Sequence, residues 1–400
     1  MRKRETLSFL IGIIFLSFSF LLFAEQNENL QISYCKMVYS VTAREALTEV
    51  NFVTHVSIPT DSSIPILIKI PKENNYNLNL SDFNFKTIKD DRNLIRFILK
   101  NCSKNVKNFI AFEIYTLKKV TDFKNMPQEM YLSSYMNLDE NLKYFTTPSL
   151  TIQSDNKKIK TKAYQFLYEN WSVGNIIEIL NRIINFTGNV IEYKAYGSQT
   201  AFATLERGYG VCTGKANLAV ALCRALGIPS RVLFVFPTHF IVEIYLPGYG
   251  WVTGESTQGV FPLPKNSYTI QWIADIDDEN YAGPRGGVIA YWGLEKNVNA
   301  YWNIEYDLIE WNEDFAMLEG NISLNQILFE KGKKLWGLFC QLKNLKLRAE
   351  QLIIFSEYQN LYFEALLNNE IQDALHYADL AISEAKRLLD LENQCNMIFK

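Results

Sequence analysis

Histidine is scarce in this chain: His55, His239 and His376 are all that 400 residues contain. The six cysteines include no C-x-x-C pair. With so few histidines beside them, no metal-ligand pattern forms, and the sequence calls for no metal and no cofactor. A basic excess is missing too. Lys and Arg number 40 against 43 Asp and Glu, for a net charge of −3. No electrostatic footprint for nucleic acid exists, and none is expected as a partner. All eleven prolines lie at or before Pro284, and no glycine follows Gly337. Both helix breakers are therefore absent from the tail, which reads as helical.

What is present is apolar and aromatic. A hydrophobic content of 48%, with 14% aromatic residues, is globular and excludes wholesale disorder. The length suits two or three domains, each with a core of its own. Met1-Arg2-Lys3-Arg4 is basic, and Leu7 to Ala24 is an unbroken run of apolar, Ser and Gly residues. The run reads as an export signal cleaved after Ala24, or as a membrane anchor through residues 7–24. Both readings place the remainder outside the cytoplasm: periplasmic, in the cell envelope or extracellular. There Cys35 and Cys102 are candidates to pair, while Cys223 reads as a small core residue.

Four segments follow, and the class is α+β. After residues 1–24, residues 25–122 read as an N-terminal antiparallel β-sandwich. Val50, Phe52, Val56 and Ile58 alternate with polar neighbours, and the run Ile66 to Ile70 is bracketed by Pro65 and Pro71. Residues 123–300 change period. Ile159, Ala163 and Phe166 suit one helix; Ile176, Ile179, Leu180, Ile183 and Ile184 suit another. A third runs from Cys212 to a stop at Gly227 and Pro229, and strands follow. Residues 301–400 read as a helical region. In it Ile371, Ala374, Ala378, Ala381, Ala385, Leu388 and Leu389 form a narrow stripe. It suits a hairpin of tetratricopeptide type that packs on the rest, dimerises or holds a protein partner.

Chemistry concentrates at Cys212. It ends a glycine-broken turn, Arg207-Gly208-Tyr209-Gly210-Val211, and opens a helix whose first turn, Thr213-Gly214-Lys215, is small and polar. Unsatisfied N–H groups and the helix dipole at such a start favour a thiolate, the form that attacks carbonyl carbon. A thiol nucleophile needs a base and the base needs an orienter. His239 and Glu255 stand in that order on either side of the turn Pro247-Gly248-Tyr249-Gly250. A hairpin there makes them near neighbours on adjacent strands. Glu243, four residues along from His239, lies about 13 Å away at strand rise and is expected to shape the cleft instead. Gln199 is a candidate oxyanion donor; Tyr209, Trp251 and Trp272 are candidate cleft aromatics or core residues.

These residues also carry a resemblance. The G-x-C-x-G-x-A start at Gly210, the A-L-x-R-A-L-G-I-P-S-R end at Ala221, the H-F-I-V-E strand at His239 and the G-Y-G-W turn at Gly248 are similar to the core of the transglutaminase-like superfamily. The match is close from Thr200 to Trp251 and loose over 130–295. It implies a papain-like core with a Cys–His–Asp triad, here Cys212, His239 and Glu255. The departure is at the third member, where the family has Asp-Pro-Thr and this chain has Glu255-Ser256-Thr257. The implied activity is acyl-enzyme chemistry on peptide or protein amides, with hydrolysis preferred. The alternatives are amine transfer, or a non-catalytic scaffold that binds envelope partners.

Overall fold

A computed structural model describes residues 30–55, 60–69, 94–120, 123, 125–168, 175–236, 239–280, 293–294, 304–318, 322–344 and 352–398. The apolar run at 7–24 and the Val56–Ile58 end of the alternating stretch lie outside the described residues.

The N-terminal part contains strands β1 (Leu30–Ala43), β2 (Leu47–His55), β3 (Ser63–Lys69), β4 (Leu94–Cys102) and β5 (Lys107–Lys119). β1 pairs antiparallel with β5 from Leu30↔Lys119 to Thr42↔Lys107, and β3 extends the same sheet beyond β5. β2 and β4 pair in a separate sheet. Cys35 and Cys102 consequently sit on different sheets, both buried, and the pairing expected from the sequence is not present between them.

Residues 123–156, polar in sequence, wrap the next lobe through a short helix α1 (Glu140–Tyr144). Tyr135 donates to Tyr245 O at 3.0 Å, and Met130 and Ile152 are buried. Helices α2 (Lys157–Tyr168) and α3 (Ile176–Asn185) bury the apolar faces read from sequence, Ile159, Ala163 and Phe166 on one and the isoleucine stripe on the other. Asn175 caps α3 by accepting from Ile177 N, satisfying one orphan donor of its first turn. The two-residue strands β6 (Glu192–Tyr193) and β7 (Tyr209–Gly210) pair in parallel around α4 (Ala201–Arg207).

Helix α5 (Cys212–Ala225) is the axis of this lobe. Every residue from Gly214 to Arg224 is buried. A helix surrounded on all sides needs no polar face, which is why its apolar pattern is nearly continuous. It ends where Gly227 adopts φ +77°, a left-handed turn that costs glycine nothing. Arg224 and Glu279, both with fully buried side chains, meet at 2.7 Å and tie the helix end to α6 (Ile276–Asn280).

Against α5 lies an antiparallel sheet in the order β11-β10-β9-β8-β12, formed by β8 (Ser230–Val235), β9 (His239–Leu246), β10 (Gly250–Glu255), β11 (Val260–Leu263) and β12 (Ile270–Ile273). The helix-facing side carries Val232, Phe234, Phe240, Val242, Ile244 and Val252.

The C-terminal part departs from the expected all-helical 301–400. After β13 (Gly293–Leu294), which joins β2, residues Ile304–Leu318 form β14, a fifteen-residue strand paired with β1 from Leu30↔Leu318 to Ala43↔Ile304. Helix begins only at α7 (Ile322–Asn344), followed by α8 (Ile353–Leu367) and α9 (Ile371–Ile398). These helices cover one face of the β14-β1-β5-β3 sheet. Leu30, Ile32, Ile64, Ile66 and Leu117 share a core with Phe329, Trp336, Phe355, Tyr362 and the alanine stripe of α9. A helical layer thus covers this face, where a β-sandwich would place a second sheet.

Candidate active site

Cys212 is the first residue of α5, reached through a short built turn. Gly208 ends α4 in a left-handed conformation, φ 71°. Val211 N then donates to Gln199 Oε1 at 2.9 Å, fixing the residue before the thiol. A Cβ at Gly214 would stand 2.5 Å from Gln199 Oε1 and 2.6 Å from Thr204 Oγ1. Only glycine allows the turn to lie this close to the helix. The Cys212 sulfur lies within electrostatic reach of the His239 imidazole and of the N–H groups of Phe240 and Thr213.

His239 opens β9. Its Nε2 lies 2.7 Å from Glu255 Oε2, which leaves Nδ1 as the ring nitrogen available to the sulfur. Glu255 is the last residue of β10 and wholly buried. The register pairs Gly254 with Val242, which sets Glu255 two residues from direct opposition to His239, a diagonal neighbour on the next strand. Its other oxygen, Oε1, accepts from Thr257 N at 2.7 Å. Oε2 also accepts from the Tyr268 hydroxyl at 3.2 Å.

The electrostatics follow from these contacts. Burial opposes the Cys212 thiolate, but the hydrogen bond and charge of His239 and two backbone N–H groups outweigh it, and the pKa falls below that of an ordinary thiol. Burial alone would lower His239; hydrogen bonds to Cys212 and Glu255, with their charges, instead push it up to about 9. Burial likewise works against charge on Glu255, and the contacts from His239, Thr257 and Tyr268 bring its pKa below the ordinary carboxylate value. All three shifts run in the direction of the thiolate–imidazolium–carboxylate combination.

The other sequence candidates are placed differently. Gln199 spends its amide nitrogen on Gly197 O at 3.1 Å and its oxygen on Val211 N, so it builds the turn. Tyr209 is half-buried beside that turn, with the Arg207 guanidinium 4.9 Å and the Lys194 ammonium 5.6 Å from its ring centre. Trp251 is at the far end of β10, under Arg231 at 4.0 Å and edge-on to Phe145 and Tyr245. Trp272 is 1% exposed and donates to Asp278 Oδ2 at 3.1 Å. Both tryptophans are structural. Glu243 does not shape the cleft: it is buried against Arg231 at 2.7 Å. His376 is exposed on α9, remote in the fold from Cys212.

Two residues near the thiol have no signal in the local sequence. Tyr193 faces Gly210 in the β6–β7 pair, and its hydroxyl lies within electrostatic reach of Cys212. Lys215, 2% exposed, donates to Gly188 O at 2.9 Å. Burial lowers its pKa against the opposing pull of Glu255. Among the described residues no three His, Cys, Asp or Glu side chains gather as a metal site would require.

Comparison with known proteins adds the following. Residues 170–255 match the model of the transglutaminase-like superfamily, a span that holds Cys212, His239 and Glu255. No curated protein matches. A candidate cysteine protease from Cytophaga hutchinsonii is 22% identical, over 74% of this chain and 93% of its own, with a TM-score of 0.44. The periplasmic domain of TgpA from Pseudomonas aeruginosa is 12% identical, over 60% and 90%, with a TM-score of 0.29. Likeness at this level carries no inference about chemistry.

Proposed function

With a transglutaminase-like core at residues 170–255 as the premise, we propose that this chain performs thiol-dependent acyl-enzyme chemistry on peptide or protein amides, with hydrolysis as the outcome. The observation that carries this reading is the 2.7 Å contact of His239 Nε2 with Glu255 Oε2, with pKa directions at Cys212 and His239 that favour the thiolate–imidazolium pair.

The steps follow from the atoms present. The Cys212 thiolate adds to the amide carbonyl carbon, forming a C–S bond and moving the carbonyl electron pair onto oxygen. The Cys212 N–H at the start of α5 and the neighbouring Tyr193 hydroxyl are the donors this reading assigns to that oxyanion. Collapse breaks the C–N bond, and His239 gives its proton to the departing amine. A water molecule, deprotonated by the now neutral imidazole, attacks the thioester and releases the acid and the thiolate. Glu255 keeps Nε2 protonated and the ring aimed throughout. An amine in place of water would give transamidation from the same acyl-enzyme.

The reading includes export, on the strength of Arg2–Arg4 and the apolar run 7–24, and a peptide or protein substrate. We further read α8 and α9 as a helical hairpin whose outer face is the place for a protein partner, since its alanine stripe is already buried.

Incubating the protein with a peptide library, with and without an added amine, and reading products by mass spectrometry tests the proposal. Hydrolysed peptides are expected in both arms, and none with Cys212→Ala. Persisting cleavage in Cys212→Ala would assign the nucleophile elsewhere; products that all carry the amine would make transfer the function.

A further inference from the structure

Tyr268 holds the Glu255 carboxylate but belongs to no strand of the hairpin that carries Glu255 and His239. It lies in the segment between β11 and β12, and that segment is gripped from outside the lobe. Gln31, Ser33 and Cys35 alternate along β1 and therefore share a face. Asn266 Nδ2 donates to Gln31 Oε1 at 3.0 Å. Lys118, register partner of Gln31 on β5, reaches Asn266 O at 3.5 Å. Next to Tyr268, Thr269 Oγ1 lies 3.3 Å from Ser33 Oγ and receives the Cys35 thiol at 3.5 Å. Ser33 and Thr269 are fully buried, so the contacts of Thr269 with Ser33 and Cys35 form where an unmade hydrogen bond is costly, while those of Asn266 are part-buried. On the other side Thr269 O accepts from Phe236 N at 3.0 Å, which anchors the segment to the end of β8.

We infer that the N-terminal sheet is a positioning element of the active site: by fixing residues 266–269 it places the Tyr268 hydroxyl on Glu255 Oε2, and so sets the aim and charge of His239. This inference rests on the proposed thiol chemistry. It assigns Tyr268 a role in orienting the carboxylate, and Thr269 a role in orienting Tyr268. It also accounts for the glutamate at 255. A carboxylate on a longer stem has one more rotatable bond, and here both of its oxygens are tied, Oε1 by Thr257 N and Oε2 by Tyr268 in addition to His239. The titratable groups facing the imidazole are Cys212 from α5 and Glu255 from β10, with the Tyr268 ring 5.9 Å away and Lys215 acting on Glu255 from α5.

The test uses the full chain and needs no substrate. Alkylation of Cys212 by iodoacetamide is followed against pH by the mass of its peptide, together with the thermal midpoint. The parent protein is expected to react below the ordinary thiol value, through the ion pair, with a second step as His239 titrates near 9. In Tyr268→Phe, which keeps the ring, a loosened carboxylate supports the imidazolium less. The interval between the two steps then narrows from both ends, by roughly half a pH unit or more, at an unchanged midpoint. Thr269→Val narrows it in the same direction by less, and Thr269→Ser restores it. An unaltered interval in both Tyr268→Phe and Thr269→Val overturns the inference while leaving the thiol chemistry standing. So does narrowing that appears only in step with a lowered midpoint. A parent protein whose Cys212 reacts only at the ordinary thiol value of 9.0 refutes the thiol reading itself, and this inference with it.

Discussion

A glutamate orients an imidazole from one methylene further back than an aspartate, and at Glu255 the extra reach ends on a carboxylate bonded at both oxygens. Removing its charge while keeping its shape should therefore be severe. Glu255→Gln presents an amide to Nε2 and favours the wrong tautomer; kcat/KM on a cleavable peptide should fall by roughly 10³- to 10⁴-fold. Stability against pH gives a second check at this scale. His239, raised to about 9, contributes stability that is complete below its ordinary value of 6.5 and lost as pH rises through about 9. Cys212, lowered from 9.0, contributes stability complete above 9.0 and lost as pH falls through its folded value. Between the folded Cys212 value and 9.0 the two slopes oppose each other, so the denaturant midpoint of the parent protein should vary less with pH there than either group alone would make it. In Cys212→Ala the compensation is gone, and the midpoint should decline as pH rises above 6.5, over a narrower interval because Cys212 no longer helps hold the His239 proton.

Among the elements, α5 decides the most. Cys212 and Gly227 were legible in sequence because a helix start and a left-handed stop each demand particular residue types, whereas the close approach at Gly214 was not. The stripes of α2 and α3 were legible for the same local reasons. What the helix packs against was not. The Arg224–Glu279 pair joins residues 55 apart, and no local pattern announces such a partner. Breaking a fully buried pair leaves one charge desolvated. Arg224→Met should cost about 3–5 kcal/mol in unfolding free energy, read from urea denaturation, whereas replacing both partners with apolar residues should cost far less.

At the scale of the whole molecule, the chain leaves the first sheet, builds the thiol lobe and returns. β14 pairs along nearly the whole of β1, and the tail helices close over the same sheet. The loss of proline and glycine toward the C-terminus pointed to helix and hid the strand at 304–318, because a strand of mixed polarity paired on one edge has no distinctive period. Tyr268 was missed for a related reason: its importance lies in contacts reaching from Gln31 and Ser33, more than 230 residues away. Ending the chain at residue 303 would leave the edge of β1 unpaired and the apolar face bearing Leu30, Ile32 and Ile64 uncovered. Such an edge recruits other chains, so light scattering should show association where the full chain shows none.

The account depends on the Cys212 thiol being ionised beside a protonated His239. Thiolate ultraviolet absorbance, titrated in the parent protein and in Cys212→Ala, isolates that one group by difference. The signal should appear well below the ordinary thiol range and should shift upward in Glu255→Gln. A difference signal that rises only near 9.0, the ordinary value for the thiol, and that ignores Glu255→Gln, would contradict it.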